Sequence, residues 1–473
     1  MKGYLSNSMV TSGKYLMFKS RRRTYRKNRQ RLPLLVFLAA IPVALILLEL
    51  LTRIVVGVTG KSAELTAYEG VPTIVTDYCL KYLGQNQQPY DGLSARGRLG
   101  VQRHQAVGYS LVGNQKSNVW RINEQGFRDD NPLPLSKPKN EIRVFLLGGS
   151  TAFGQWNENN QATLASFLEA RLNERVAQQK RSPEKYRPAT LPYFKSELDK
   201  VMRLPLRMRE GQYRVINAAV PGYASGNTLA QLALQVMPYR PDAIVVLDGY
   251  ADLMLPSNKA QADIPHTEAF LNNAPGHFWT YLSLQLKQAF SSTYLVKAIQ
   301  YWLLHPKPSL SELSLVATEE TKSLSEHLPA DPAELERRVA RYRKYQKQLV
   351  TLTAGAGIPL VIAVQPEITG RDTKKLLPKE KEILKELGPV YTGQVKSGYG
   401  ELLQASQKLQ KAFPKNVKAL NFYKLDDELP KGKTAFSDAV HLSKDANAAL
   451  SERFYRVITS LPKLQVAPPK PPK

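Results

Sequence analysis

Short apolar runs alternate with helical patterns from residue 142 onwards. Five runs have the length and continuous apolar character of buried parallel strands, at 142–147, 213–219, 243–247, 359–364 and 417–422. Helical patterns lie between or after them, at 162–178, 229–237, 333–354, 400–411 and 446–458. This alternation predicts an α/β fold, a three-layer α/β/α sandwich around a mainly parallel sheet of about five strands.

The N-terminus combines a basic segment with a long apolar one. Residues 1–31 contain ten Lys and Arg and no acid, and residues 32–48 carry no charge. Apolar character resumes after Glu49 and Arg53, which share one helix face and can pair, and continues to Val58. We expect a basic cytoplasmic tail (1–31) and one transmembrane helix (32–58) that anchors an extracytoplasmic remainder in the cell membrane.

A cleaved secretory signal is the alternative interpretation of this segment. The apolar region of such a signal is normally shorter, about 7–15 residues, and is followed by a small-x-small cleavage site. We find no convincing site of that kind before Leu65.

The charge and the cysteine content exclude several classes of protein. The formal net charge is +26, but the N-terminal tail holds ten of the 66 basic residues and none of the 40 acidic ones, so the remainder carries an excess of 16. An extracytoplasmic location makes nucleic acid an unexpected partner. The single cysteine, Cys79, excludes a disulfide scaffold and a cysteine-ligated metal site.

The rest of the chain divides into an extension, a core with two insertions, and a tail. Residues 60–140 are rich in turn signals and are predicted to pack on a core domain at 141–460. Insertions interrupt the core at 179–211 and 253–330, and residues 461–473 form a Pro/Lys-rich tail. The aromatic stretch 281–304 fits a lid or a membrane-touching helix, but we favour the interpretation that it is a core helix.

Candidate chemistry begins where the first predicted strand ends, because ligands of parallel α/β sheets bind beyond the carboxyl ends of the strands. The segment 148–154 reads GGSTAFG. It lacks the Lys-Ser/Thr of a phosphate-binding P-loop and the spacing of a dinucleotide fingerprint. What remains is either a serine exposed on a tight strand-to-helix turn or an ordinary glycine-rich turn with Ser150 at a helix start.

Later blocks follow the other strands in order. They read NAAVPGY at 217–223, DGYAD at 248–252 and DAVH at 438–441, the last just before the final helix. Taken in this order, the blocks resemble those of the SGNH (GDSL-type) hydrolase superfamily, over roughly residues 142–458 without the insertions. The resemblance implies an SGNH or flavodoxin-like sheet in which Ser150 is the nucleophile, His441 the base and Asp438 its orienting carboxylate.

The resemblance also implies an oxyanion hole, and here the sequence departs from the family. The expected donors are the backbone N–H groups of Ser150 and Gly222 and the side chain of an Asn in the third block, where this chain has Ala251. Gly149 likewise replaces an Asp of the first block. Losing one oxyanion donor typically costs about 10²–10³ in rate.

The leading hypothesis is a membrane-anchored extracytoplasmic serine esterase that cleaves carboxylic esters of a small molecule or a glycan through an acyl-enzyme. One alternative is an O-acyltransferase acting on an envelope polysaccharide, and another is a non-catalytic binding protein that lost the Asn donor. Neither a cofactor nor a metal is expected: the six His residues form no metal-binding pair. The default role for Phe127 and Arg128, upstream of the core, is packing.

Overall fold

A computed structural model gives the structure of residues 31–466, with gaps at 91–92, 94–95, 189, 266–271, 316–322, 427 and 430–431. The basic tail before Arg31 and the end of the Pro/Lys-rich tail (467–473) lie outside the described residues. The chain divides into two compact units, one ending at Ser62 and the other beginning at Ala63.

The first unit is dominated by one apolar helix, α1 (Arg31–Val58). Its segment Val36–Val58 has a mean hydropathy of 2.2 and is long and apolar enough to cross a membrane. The predicted pair within it is confirmed, with Arg53 Nε 2.9 Å from Glu49 Oε1.

The extension before the core contains more regular structure than its turn signals indicate. Its short helices and strands are α2 (Ser62–Ala67), α3 (Thr73–Tyr78), β1 (Leu80–Leu83), β2 (Leu99–His104), β3 (Gly108–Leu111), β4 (Gln115–Lys116) and β5 (Arg121–Ile122). Strands β1, β2 and β3 form a small mixed sheet, and β4 pairs with β5. Tyr109 from β3 donates its hydroxyl to the Pro221 carbonyl over 2.8 Å, so this sheet packs directly on the core.

The predicted central sheet is confirmed, with five parallel strands. These are β6 (Glu141–Gly148), β7 (Gln212–Asn217), β8 (Ala243–Asp248), β9 (Leu360–Val364) and β10 (Val417–Asn421). Their order in the sheet is β10-β9-β8-β6-β7. Strand β6 therefore lies between β7 and β8, the two strands that follow it along the chain.

Both faces of the sheet are covered, which explains the continuous apolar runs. Val144 and Leu146 face one core, and Phe145 and Leu147 face the other. The helices that follow the strands are α4 (Ser150–Phe153), α5 (Leu164–Arg181), α6 (Lys195–Met202), α7 (Ser225–Gln231), α8 (Tyr250–Met254), α9 (Ala274–Ser291), α10 (Tyr294–Ile299), α11 (Leu310–Ser314), α12 (Leu324–His327), α13 (Pro332–Gly355), α14 (Pro378–Ala412) and α15 (Lys444–Ile458). Helices α5 and α15 cover the first face and α13 the second.

Two helical predictions need correction. Helix α14 begins at Pro378, whereas the sequence pattern indicated a helix only from Gly400. The Gly388-Pro389 pair inside α14 is typical of the end of a helix. Here the helix kinks instead, with φ +76° at Gly388, and continues to Ala412. The preference for a core helix over 281–304 is wrong for α9, because none of its 18 residues is buried.

Candidate active site

Three polar or small positions meet at the carboxyl edge of the central sheet. Ser150 follows β6, Gly222 follows β7 and Ala251 follows β8, and these strands are neighbours. All three residues are half-buried, whereas most of the residues around them are fully buried. They are therefore partly accessible at the sheet edge, where ligands of parallel sheets bind.

The turn that presents Ser150 depends on glycine. Gly148 has φ +142°, and a Cβ there would overlap the Leu247 carbonyl oxygen of the adjacent strand. Only glycine tolerates both constraints. Ser150 becomes the first residue of α4, which ends after one turn at the left-handed Gly154. The tight strand-to-helix turn places the serine at the sheet edge.

Asp438 and His441 form a buried pair in the turn before α15. Both side chains are fully buried, and His441 Nδ1 lies 2.6 Å from Asp438 Oδ2. The other oxygen, Oδ1, accepts the backbone N–H groups of Val440 and His441 at 2.9 Å each. Burial alone would raise the pKa of Asp438, but His441 and the two backbone donors lower it below its ordinary value. The carboxylate is therefore held ionised.

The proton on the His441 ring can be assigned from these contacts. An ionised carboxylate accepts only, so the 2.6 Å contact requires a proton on Nδ1. The opposite nitrogen, Nε2, is buried and has no hydrogen-bond partner among the described residues. In the neutral form of the ring, Nε2 carries the lone pair that a general base needs.

Hydrogen bonds fasten the serine turn to the Asp438–His441 turn. Thr151, the neighbour of Ser150, donates its hydroxyl to the Val440 carbonyl over 3.2 Å. The same Thr151 hydroxyl accepts from Gln365 Nε2 at 2.9 Å. These bonds connect the turn that carries Ser150 to the turn that carries Asp438 and His441, but no hydrogen bond joins Ser150 to His441 Nε2 among the described residues. The triad therefore stays a prediction.

Trp156 is a site residue that the sequence analysis missed. Its indole Nε1 lies 2.7 Å from Asp438 Oδ2 and 3.1 Å from His441 Nδ1. Because Nδ1 carries a proton, the indole N–H donates to the carboxylate. The indole and imidazole rings meet edge to face, with centroids 5.8 Å apart. An aromatic residue six positions after the serine gives no sequence signal, since aromatic side chains are more often simply core.

Two backbone donors at this edge have no partner among the described residues. The N–H groups of Ser150 and Gly222 donate to no other group in the described part of the chain. Gly222 has φ +86°, and a Cβ on Gly149 would lie 3.2 Å from the Tyr223 carbonyl oxygen, so the two turns are adjacent. Ala251 has a methyl side chain and therefore contributes no side-chain donor.

Asp252, the last residue of the third block, ties two of these turns together. Its carboxylate accepts the backbone N–H of Ser225 at 3.1 Å and the Ser225 hydroxyl at 2.5 Å. Ser225 begins α7, directly after the Gly222 turn. The carboxylate therefore fixes the Gly222 turn relative to the turn that carries Ala251.

Arg128 has a larger role than the packing that we expected. It is almost fully buried and donates to the backbone carbonyls of Phe153 and Gly154, at 3.1 and 2.8 Å, and to Asn160 Oδ1 at 2.9 Å. It also donates to the Tyr78 hydroxyl at 2.9 Å. A residue of the extension thus holds the loop that carries Trp156.

A buried carboxyl, Glu367, is linked through two tyrosine hydroxyls to the turn that carries Ala251. Burial raises the pKa of Glu367 to about 7, even though hydrogen bonds from Thr369 and Tyr391 oppose the shift. The Tyr391 hydroxyl lies 3.1 Å from that of Tyr250, the residue before Ala251.

Among the described residues, no three His, Cys, Asp or Glu side chains are placed to hold a metal ion together.

Comparison with known proteins finds likeness only among solved structures. No protein-family model and no curated protein matches the chain. Similar solved structures include a lipase/acylhydrolase from Enterococcus faecalis, with 14% identity, a TM-score of 0.33 and coverage of 69% of this chain and 100% of the other. Others are a lipolytic protein of the G-D-S-L family from Desulfitobacterium hafniense (11% identity, TM-score 0.30, 67% and 99% covered) and an acetylxylan esterase from Geobacillus stearothermophilus (11% identity, TM-score 0.30, 69% and 97% covered).

The Desulfitobacterium hafniense protein is described as a member of the G-D-S-L family, the type that the sequence blocks resemble. Identities and TM-scores this low carry no functional argument, so the function of this chain is inferred from its own site.

Proposed function

We propose that the protein is a membrane-anchored, extracytoplasmic serine esterase of the SGNH type. The observation that carries the proposal is the buried Asp438–His441 pair, whose free Nε2 belongs to a turn fastened to the Ser150 turn. A serine hydroxyl is a weak nucleophile until a base takes its proton, and an oriented neutral imidazole is such a base.

The reaction would proceed in two half-reactions. Ser150 Oγ attacks the carbonyl carbon of the ester while its proton passes to His441 Nε2. The backbone N–H groups of Ser150 and Gly222 stabilise the oxyanion. The bond to the leaving alkoxide then breaks as His441 returns the proton to that oxygen. Water repeats the attack on the acyl-enzyme, His441 again takes and returns the proton, and the carboxylic acid and free Ser150 are released.

The full-length protein in detergent tests this function directly. Wild type and Ser150→Ala are assayed for p-nitrophenyl acetate hydrolysis and for labelling by a fluorophosphonate. Ser460→Ala is the matched control, because Ser460 is exposed and bonds only to the Val457 carbonyl within its own turn. We expect hydrolysis and labelling in wild type and Ser460→Ala, and a loss of several orders of magnitude in Ser150→Ala.

The other outcomes identify the alternatives. Equal hydrolysis rates in wild type and Ser150→Ala, with no fluorophosphonate labelling, would favour a binding protein. Transfer of the acyl group to an added glycan in preference to water would favour an acyltransferase.

The proposed orientation has its own experiment. Ser460→Cys in a Cys79→Ser background has one thiol, on the surface of the second unit. A membrane-impermeant maleimide added to spheroplasts should label this thiol without lysis. Labelling only after lysis would reverse the orientation.

A further inference from the structure

Helix α9 carries an exposed apolar surface that the rest of the described chain leaves uncovered. The exposed fractions of Phe278, Trp279, Leu286 and Phe290 lie between 54 and 67%, and no residue of the helix is buried. At 3.6 residues per turn, these four side chains fall within about a third of the helix circumference. Soluble domains rarely expose so continuous an apolar face unless something covers it.

The segment after α9 extends this surface. Helix α10 continues into a turn at Gln300–Leu304, where Trp302, Leu303 and Leu304 are exposed by 40, 78 and 65%. We call the seven exposed side chains of α9 and this turn the apolar surface.

The charge of this region suits the surface of a membrane. From Ala274 to Leu304 the sequence contains Lys287 and Lys297 but no acidic residue. Two of the four tryptophans of the whole chain, Trp279 and Trp302, lie here. Apolar and tryptophan side chains with lysines and without acids are typical of helices that lie in the lipid headgroup region.

The apolar surface is attached to the segment that follows the membrane helix. Tyr301 donates its hydroxyl to Glu64, and its ring packs edge to face on Tyr68, with centroids 5.2 Å apart. Lys297 Nζ donates to the Thr66 carbonyl over 2.8 Å. Glu64 is only six residues from Val58, the end of α1, and six residues of extended chain span about 20 Å at most. A bilayer crossed by α1 is therefore within reach of the apolar surface.

We propose that the apolar surface lies on the phospholipid bilayer, with Trp279 and Trp302 among the headgroups and upper acyl chains. The occupant of this surface is the membrane itself. The inference rests on the proposed anchoring by α1 and is independent of whether the site hydrolyses esters.

Tryptophan quenching in vesicles tests the inference on the full-length chain. The protein is reconstituted in phosphatidylcholine vesicles with or without lipids brominated near the headgroup. Wild type is compared with a Trp279→Phe, Trp302→Phe double variant, which keeps aromatic side chains at both positions. The remaining tryptophans are Trp120, which is buried, and Trp156, which lies in the site, and α1 contains none.

We expect brominated lipid to quench up to about half of the wild-type emission, since two of four tryptophans are involved, and very little of the emission of the double variant. Equal quenching of both proteins, or none in either while both float with the vesicles, would overturn the inference and leave the anchor standing. A chain that fails to float with vesicles would overturn the anchor and the inference together. Neither result depends on esterase activity.

A second measurement tests self-association as the rival explanation. Trp279→Cys in a Cys79→Ser background is oxidised in vesicles. Efficient disulfide-linked dimers would mean that a second copy covers the apolar surface, which contradicts the lipid contact. A monomeric product is the expected result.

Discussion

Trp156 donates its indole N–H over 2.7 Å to Oδ2 of Asp438, the same oxygen that accepts from His441. With two backbone donors on Oδ1, the carboxylate has four donors and no contact with solvent. Hydrogen bonds to an ionised group stabilise it by about 1.5–3 kcal/mol each. Trp156 therefore helps to hold Asp438 ionised and fixed in orientation, and through it the His441 ring.

Replacing Trp156 by Phe should lower kcat about tenfold or more while the fold is retained. The phenyl ring keeps most of the packing but loses the donor, so Asp438 orients His441 less firmly, and a loss of 1.36 kcal/mol is tenfold in rate. The measurement is steady-state hydrolysis together with thermal unfolding. Trp120→Phe is the matched control, because the Trp120 indole donates to the Asp77 carbonyl and not to Asp438 or His441. Equal kcat values in the two variants would refute a positioning role.

Replacing Ala251 by Asn should raise kcat, by up to about 10²-fold. Ala251 is half-buried at the start of α8, at the same edge of the sheet as Ser150 and Gly222. An amide there supplies a third oxyanion donor, whereas the isosteric Ala251→Asp variant does not. Steady-state kinetics on one ester compares the three proteins. If Asn and Asp variants both match wild type, another group already fills the oxyanion hole.

Stability should fall as the pH rises through about 7, because of Glu367. A carboxyl whose folded pKa is raised binds its proton more tightly in the folded state, so its contribution is present below the unfolded pKa, near 4.5, and is lost as pH rises through the folded value. With pKa values of 4.5 and about 7, this contribution falls by about 2.5 kcal/mol between pH 5 and pH 8.

Glu367→Gln tests this pH dependence. The amide can keep its oxygen toward Thr369 and turn its nitrogen toward the Tyr391 hydroxyl, without a charge to bury. Urea unfolding measures the free energy of unfolding of both proteins at pH 5 and pH 8. Relative to wild type, the variant should be more stable at pH 8 than at pH 5. The exposed Glu382→Gln is the control. A difference that is the same at both pH values would contradict the raised pKa.

Arg128→Lys should destabilise the protein by about 2–4 kcal/mol. The guanidinium satisfies several buried carbonyls at once, and the single ammonium of lysine cannot reproduce this fork. Chemical unfolding measures the loss, with the exposed Arg121→Lys as control. Wild-type stability in Arg128→Lys would mean that the loop after α4 keeps its conformation without the guanidinium.

The sheet was predictable because each of its strands is a continuous apolar run buried on both faces. The carboxyl ends of parallel strands lie at one edge of a sheet, so the segments that carry Ser150 and Gly222 could be expected there, whereas the strand order could not be predicted. Asp438 and His441 could be paired because their spacing of three allows an aspartate to fold back onto its own turn.

The contributions of Trp156, Arg128 and Asp252 could not be predicted in the same way. Each acts through a contact made by the fold: Trp156 reaches Asp438 across 282 residues of sequence, and Arg128 reaches Gly154 across 26. No periodicity or spacing encodes such contacts. The kink at Gly388 and the exposure of α9 were missed for a related reason, since local pattern does not tell what packs against a helix.

The bonds from Arg128 to the loop after α4 determine how much of the chain a fragment must contain to keep the site intact. A fragment starting at Glu141 would contain the whole parallel sheet and the Ser150, Asp438 and His441 side chains, yet it would lack Arg128 and its partner Tyr78. The loop that carries Trp156 would then expose several carbonyls that had been paired. A cleavage that separates this domain from α1 must therefore fall between Val58 and Thr73 if the released fragment is to keep both Tyr78 and Arg128.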